Sequence, residues 1–253
     1  MQVTFVGAGP GDKELITVKG SKKLAEADIV IYAGSLVNPI LLEYTKANVS
    51  VHNSAHMTLD EVIEVTKAGV EKGLKVVRLH TGDPSIYGAI KEQMDKLDEL
   101  GITYEVVPGV SSFLASAAAL NKEFTLPSVS QTIIITRQEG RTPVPEREKL
   151  SKLATHGTSM CIFLSVHMIE DVMQELLAGG VYTKDTPVAI VQRASWPEQK
   201  IFRGTIGTIA KVVQQEGVDR TAMILVGGFL DSDYELSRLY ADDFTHMYRE
   251  AKK

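Results

Sequence analysis

Val3-Thr4-Phe5-Val6 running into Gly7-Ala8-Gly9-Pro10-Gly11-Asp12 is an apolar stretch stopped by a glycine- and proline-bent turn, and the same figure recurs twice. Lys75–Leu79 leads into His80-Thr81-Gly82-Asp83-Pro84, and Tyr104–Val107 leads into Pro108-Gly109-Val110-Ser111-Ser112. Short apolar runs alternating with helical periodicity read as strands of an open α/β sheet, whose ligands bind beyond the carboxyl ends of the strands. Small and φ-permissive residues at three such ends imply a backbone that closes around a bound molecule. A cofactor site is therefore the leading expectation.

Outward from these turns, the first half offers candidate strands at Val3–Val6, Ile29–Tyr32, Val49–His52, Val76–Leu79 and Tyr104–Val107. Thr58-Leu59-Asp60-Glu61 reads as a capping box, with Val62, Val65, Ala68 and Val70 marking the buried face of the helix it opens. Ile90, Met94, Leu97 and Leu100 recur at helical spacing within Tyr87–Leu100, and Ser111–Leu120 is an alanine- and serine-rich helix able to pack closely. Such alternation predicts a mainly parallel sheet covered on both faces. Asn121–Val129 has no periodicity and contains Pro127. The expected organisation is a first α/β domain over 1–121, a linker over 122–129 and a second α/β domain over 130–253.

In the second domain, strands are expected at Thr132–Thr136, Ser159–Leu164, Val188–Gln192, Lys200–Arg203 and Ala222–Val226. Arg193–Gln199 is too short for a helical crossover, so the strands it joins should be antiparallel neighbours in a mixed sheet. Ser232-Asp233-Tyr234-Glu235 resembles another capping box, predicting a terminal helix with Leu236, Leu239, Tyr240 and Phe244 packed inward.

Composition excludes several classes. The 253 residues suffice for one large or two moderate domains, and 44% hydrophobic with 23% charged residues is an ordinary globular balance. A net charge of −5 argues against a protein that coats nucleic acid. The single cysteine, Cys161, precludes a disulfide framework within one chain and suits a reducing compartment. Met1–Val6 is strand-like rather than a secretory signal, and no apolar run approaches the ~20 residues of a membrane span. A soluble cytoplasmic protein is expected. His52 and His56 have no third ligand nearby, so no metal is expected. A dinucleotide fingerprint fails because Asp12 stands where its last glycine belongs and Ile29–Gly34 ends without an acid. Neither a P-loop nor a nucleophile elbow is present.

The three turns, the second extended as Gly82-Asp83-Pro84-Ser85-Ile86-Tyr87-Gly88, resemble the signature turns of the tetrapyrrole methylases across nearly the whole chain. The resemblance implies two α/β domains, the first with a mainly parallel and the second with a mixed sheet, and a cofactor trough between them. It implies S-adenosyl-L-methionine as cofactor, S-adenosyl-L-homocysteine as product and a homodimer. Tyr32-Ala33-Gly34-Ser35-Leu36-Val37-Asn38-Pro39 and Glu139-Gly140-Arg141-Thr142-Pro143-Val144-Pro145-Glu146 narrow the implied activity to methylation at C-11 of precorrin-4 or its cobalt form. Within the family the alternatives are another ring carbon, uroporphyrinogen III, RNA or a protein side chain.

Carried over by resemblance, Pro10, Thr81, Gly82, Asp83, Ile86, Ser111 and Ser112 would contact the cofactor from the first domain. Leu164 or Ser165, Ala194, Thr221 and Ala222 would do so from the second. The family often has glycine where this chain has Ala194, and methionine at the position of Ser165. Asp83 and Tyr87 are the catalytic candidates. A carboxylate-rich tetrapyrrole needs cations, for which Arg137 and Arg141, then Arg193 and Lys13, are the candidates. A cofactor-holding module without chemistry is the alternative from another class, and a nicotinamide enzyme ranks last.

Overall fold

The computed structural model describes residues 3–251. Met1 and Gln2, which open the Met1–Val6 stretch read as strand-like, and the closing Lys252 and Lys253 lie outside the described residues. The chain divides into two compact units. One runs to Ser116 and takes in Arg193–Gln199; the other holds Ala117–Gln192 and the chain from Lys200 onward.

In the first unit β1 (Val3–Gly7), α1 (Val18–Glu26), β2 (Ile29–Tyr32), β3 (Ser50–Asn53), α2 (Leu59–Glu71), β4 (Val76–His80), α3 (Ile90–Glu99) and β5 (Tyr104–Val107) precede α4 (Ser112–Leu120), of which residues to Ser116 belong to this unit. The sheet order is β3-β2-β4-β1-β5, and every pair is parallel. Its inner strands β1, β2 and β4 are mainly apolar and buried because both faces are covered, whereas the edge strands β3 and β5 are partly exposed. Val6, Val30, Val77 and Leu79 pack with Leu24 of α1 on one side. Val3, Phe5, Ile31 and Val76 pack with Val62 and Ile63 of α2 and Leu97 of α3 on the other. The chain leaves β1 for β2 by passing β4, and leaves β4 for β5 by passing β1. Two adjacent strands whose connections depart in opposite directions form the switch point at which such a sheet opens a crevice.

The capping box of α2 is complete: Glu61 N–H donates to Thr58 Oγ1 at 3.3 Å, and Thr58 N–H donates to Glu61 Oε2 at 2.6 Å. Its buried face is Val62, Ile63, Thr66 and Gly69, and Ala68 faces solvent. Gly69 sits inward because a Cβ there would come within 2.7 Å of Ile29 Cδ1. The helix expected from Tyr87 starts only at Ile90. Tyr87 and Ala89 have φ of 53° and 49°, which no right-handed helix accommodates, and Leu100 at its far end is exposed.

The second unit holds β6 (Ile133–Arg137), α5 (Leu150–Ala154), β7 (Ser159–Phe163), α6 (Ile169–Ala178), β8 (Pro187–Gln192), β9 (Lys200–Thr205), α7 (Ile209–Gln215) and β10 (Ala222–Val226). The sheet order is β6-β7-β10-β8-β9, with β6 and β7 parallel and the other pairs antiparallel, β8–β9 among them. Met160, Ile162, Ile190 and Ile224 from the sheet pack with Val172, Leu176, Ile209 and Val213 from the helices. Cys161 is buried within β7, and burial pushes its thiol up to about 12, so it is a core residue. The segment expected as a linker packs into this unit: Ser159 Oγ donates to Phe124 O at 2.7 Å, and the Phe124 ring lies 4.9 Å from that of Phe229.

The expected terminal helix does not form. From Asp231 to Ala251 the only helical turn is a 3-10 turn at Arg238–Tyr240. Leu236 is 82% exposed and Tyr240 80% exposed, so the apolar positions of that pattern meet no core. A short helix depends on tertiary packing of its apolar face, and here the local pattern lacks that support.

Gly109 stands where β5 ends, and a Cβ there would overlap the carbonyl oxygen of Gly82 and come within 2.8 Å of Gly7 Cα. Gly109→Ala should lower the free energy of unfolding by about 1–3 kcal/mol. Urea denaturation checks this, and a loss confined to a few tenths of a kcal/mol would contradict the contact.

Candidate active site

The bends after β1 and β4 are hydrogen-bonded to each other through backbone, and the bend after β5 lies against both. Ala8 N–H donates to His80 O at 2.7 Å, Gly82 N–H to Gly9 O at 2.9 Å, and Gly9 N–H to Gly82 O at 3.2 Å. A Cβ on Gly7 would lie 2.6 Å from Gly109 Cα and 2.7 Å from Gly82 O, so only bare backbone permits this approach. Gly82, at φ +60°, lies over the start of α4, where an added Cβ would meet Ser111 Cα at 3.4 Å. Pro10, Thr81, Gly82, Asp83, Ser111 and Ser112 are thereby carried on one connected group of loops.

Asp83 is the side-chain fastener of that group. Its Oδ1 accepts from Ser85 N–H at 2.8 Å and its Oδ2 from Gly109 N–H at 2.9 Å. One carboxylate thus caps its own turn and ties that turn to the bend after β5. The loop then turns back on itself, since a Cβ on Gly88 would strike the Pro84 carbonyl, and leaves Ile86 half-buried and Tyr87 at the surface. Tyr87 is 46% exposed on a left-handed backbone.

Arg193–Gln199, of which only Arg193 and Ala194 were expected from sequence, also packs Ser195 and Trp196 against the first bend. Trp196 Nε1 donates to Pro10 O at 2.9 Å, Asp12 N–H donates to Ser195 Oγ at 3.0 Å, and the indole covers Gly11 so closely that a Cβ there would overlap it. Asn38 Nδ2 donates to Gly11 O at 2.9 Å from the other side. The available signal was the chain's only tryptophan in a tight interstrand loop. Ala194 is buried there, and the Arg193 guanidinium lies 5.7 Å above the Trp196 ring and 4.0 Å from Glu198.

The other proposed cations divide by environment. Lys13 Nζ meets Glu43 at 2.8 Å, a hydrogen bond and charge that raise its pKa. Arg137 lends its guanidinium to the loop that follows β6: NH1 donates to Thr142 O at 3.1 Å and NH2 to Pro143 O at 2.7 Å. It therefore shapes the loop carrying Arg141, which is exposed and makes no ion pair among the described residues. Of the second unit's cofactor candidates, Ser165 is wholly buried. Its hydroxyl donates to Phe163 O at 2.6 Å and accepts from Gln138 N–H at 2.9 Å, which leaves Leu164 as the exposed neighbour. Thr221 and Ala222 stand at the start of β10.

Among the described residues eight non-glycine residues have positive φ, and four of them, Tyr87, Leu164, Arg193 and Thr221, are site residues expected from sequence. Each such backbone costs about 1–3 kcal/mol and tends to gather where function requires it.

Two buried polar atoms at the end of β4 make no hydrogen bond: Thr81 Oγ1 and His80 Nε2. A buried hydroxyl left unpaired costs about 1–3 kcal/mol, so Thr81 fits a site that takes a polar ligand. His80 is 4% exposed; burial, then the charge of Arg78, lowers its pKa to about 3. Among the described residues no cluster of His, Cys, Asp and Glu could hold a metal ion, and no helix is long and apolar enough to cross a membrane.

Residues 2–210 match the family model of the tetrapyrrole (corrin/porphyrin) methylases. The chain belongs to this family. It is 57% identical over 253 residues to the cobalt-precorrin-4 C(11)-methyltransferase of Methanocaldococcus jannaschii, covering 100% of this chain and 97% of the relative. The X-ray structure of a cobalamin biosynthetic enzyme, a cobalt precorrin-4 methyltransferase, superposes with a TM-score of 0.88 at 46% identity, covering 90% of this chain and 95% of that one. A uroporphyrin-III C-methyl transferase from Thermus thermophilus, complexed with S-adenyl homocysteine, gives a TM-score of 0.75 at 27% identity over 91% of this chain and 94% of its own. Fold and family therefore agree with the turns from which they were expected.

A histidine unfolds to a pKa of ~6.5, whereas folded His80 sits at about 3. Between these values the unfolded chain takes up a proton that the folded chain refuses. Stability should therefore fall as pH drops from ~6.5 toward 3, with up to ~1.4 kcal/mol per pH unit due to this one group. Denaturation across that range should give a shallower slope for His80→Gln; an unchanged slope would contradict the assignment.

Proposed function

We propose that this chain is an S-adenosyl-L-methionine-dependent C-methyltransferase that adds a methyl group at C-11 of precorrin-4 or cobalt-precorrin-4 in cobalamin biosynthesis. The observation that carries the reading is the knot of three bends at the switch point of the first sheet, with the unpaired Thr81 hydroxyl buried among them. Full-length likeness to a methyltransferase of that specificity supports the choice of substrate.

The residues present fit the cofactor. Thr81 offers a hydroxyl, Gly82 and the turn Gly9-Pro10-Gly11 offer backbone without bulky side chains, and Ser111 and Ser112 open α4, where amide N–H groups favour polar partners. Ala194, Ile86 and, in the second unit, Leu164, Thr221 and Ala222 complete the proposed contacts. Asp83 has acceptor capacity beyond that taken by Ser85 and Gly109, which could serve a cationic group of the cofactor. Bound there, the cofactor supplies a methyl group on a positively charged sulfur, an electrophile that needs alignment more than activation. The task of this chain is then to hold that alignment and keep water out. Asp83 fixes the loop, and Asp83 and Tyr87 are kept as the catalytic candidates: the carboxylate can take up the proton that the ring carbon loses, and the neutral phenol can hydrogen-bond to the tetrapyrrole.

Arg141 is proposed as the carboxylate-binding cation, on a loop held by Arg137, and Arg193 and Lys13 are the next candidates in rank. A cytoplasmic homodimer is also proposed. The exposed apolar residues Tyr234, Leu236, Leu239, Tyr240, Met247 and Tyr248 support self-association, which light scattering measures.

Incubating the protein with methyl-labelled S-adenosylmethionine and either precorrin-4 or cobalt-precorrin-4, then locating the label by NMR, tests the function. Label at C-11 is expected. Cofactor binding without transfer would leave a binding module, and label on another carbon would reassign the substrate. Arg141→Ala should weaken tetrapyrrole binding while leaving S-adenosylhomocysteine affinity intact; an equal loss of both would remove Arg141 from the substrate site.

A further inference from the structure

Arg78 projects from the middle of β4 into the layer of α2 and α3, where it is 5% exposed. Among the described residues no carboxylate lies within ion-pairing distance of it, although a buried cation ordinarily has one. Its partners are neutral. Nε donates to Gln93 Oε1 at 2.8 Å, and NH1 donates to Ile31 O at 2.8 Å and to Ser54 Oγ at 3.4 Å. Burial lowers the guanidinium to about 10, so it remains charged near neutral pH.

Gln93, itself buried on α3, has a second bond: its Nε2 donates to Ala89 O at 3.0 Å. Ala89 ends the loop that begins at Asp83, and it stands in the left-handed region at φ 49°, two residues after Tyr87 at φ 53°. No side chain caps α3, so the loop enters the helix without the usual polar fastening. A carboxylate at position 93 would serve Arg78 better than an amide, but it has no N–H to give to Ala89. Only an amide of this length both accepts from Arg78 and donates to the loop.

We infer that Gln93, seated by Arg78, is a positioning residue that holds Asp83–Ala89 in its strained form from the end opposite Asp83. The inference rests on the reading of that loop as part of the cofactor and substrate site. Asp83 fastens the start of the loop to Gly109, and Gln93 fastens its end to the core of the sheet. With both fasteners in place, Ile86 and Tyr87 are presented on a backbone that would otherwise relax.

Gln93→Glu separates loop-holding from stability. It keeps an acceptor for Arg78 and adds a charge partner, but loses the N–H to Ala89 O and sets an oxygen against that carbonyl. The thermal midpoint should stay at or above that of the native chain. Amide hydrogen exchange in a peptide spanning 83–89 should quicken, and S-adenosylhomocysteine should bind about tenfold more weakly, the effect of one lost hydrogen bond. The donor KM should rise more than kcat falls. Gln93→Met, which loses both bonds, should show the same loosening with a lower midpoint. Exchange at 83–89 and ligand affinity both within twofold of native in the Glu variant would overturn the inference. If the native chain bound no S-adenosylhomocysteine, the cofactor reading would fail, and exchange at 83–89 would still decide whether Gln93 holds the loop.

Discussion

Gly7, Gly82 and Gly109 approach one another through bare backbone at the carboxyl ends of β1, β4 and β5, and that approach sets the rest of the site. A Cβ at Gly7 or Gly109 would intrude on the backbone of the others. Because the three strands are neighbours at the switch point of a parallel sheet, the bends that follow them converge without any long loop. Asp83 then adds a carboxylate between the second and third bends, and Trp196 with Asn38 fixes the carbonyls of the first. Rigid placement of this kind is what a methyl transfer needs, since the geometry of approach sets its rate.

Behind the bends lies an unusual charge arrangement. Arg78 is buried among neutral acceptors, and His80, two residues along the same strand, is kept neutral by burial and by that charge. Such a network is costly to bury and earns no ion pair. Its outlet is Gln93, which converts the buried guanidinium into an anchor for the Tyr87–Ala89 turn. Strain at Tyr87 and Ala89 and the unpaired hydroxyl of Thr81 lie within one short stretch of chain, Thr81–Ala89.

Much of this could be read from the sequence, and the exceptions share a cause. β2, β5 and β10 fall on the expected residues because runs such as Ile29–Tyr32 declare strands buried on both faces. The antiparallel β8–β9 pair followed from a loop too short to cross over. The capping box at Thr58 was local chemistry and formed; the similar pattern at Ser232 did not, because no core stands behind Leu236 and Tyr240. The late start of α3 reflects two left-handed residues that no periodicity reveals. Trp196 on Pro10 spans 186 positions, and such contacts have no local signature. The backbone contacts that Arg137 and Ser165 make across their own loops are likewise invisible in the sequence.

A crystal structure of the protein with S-adenosylhomocysteine is the most direct measurement of whether the knotted bends form the cofactor site. The account predicts the ligand against Pro10, Thr81–Asp83 and Ser111–Ser112, with Thr81 Oγ1 at last hydrogen-bonded. The ligand lodged elsewhere, with those bends bare and the Thr81 hydroxyl still unpaired, would contradict it.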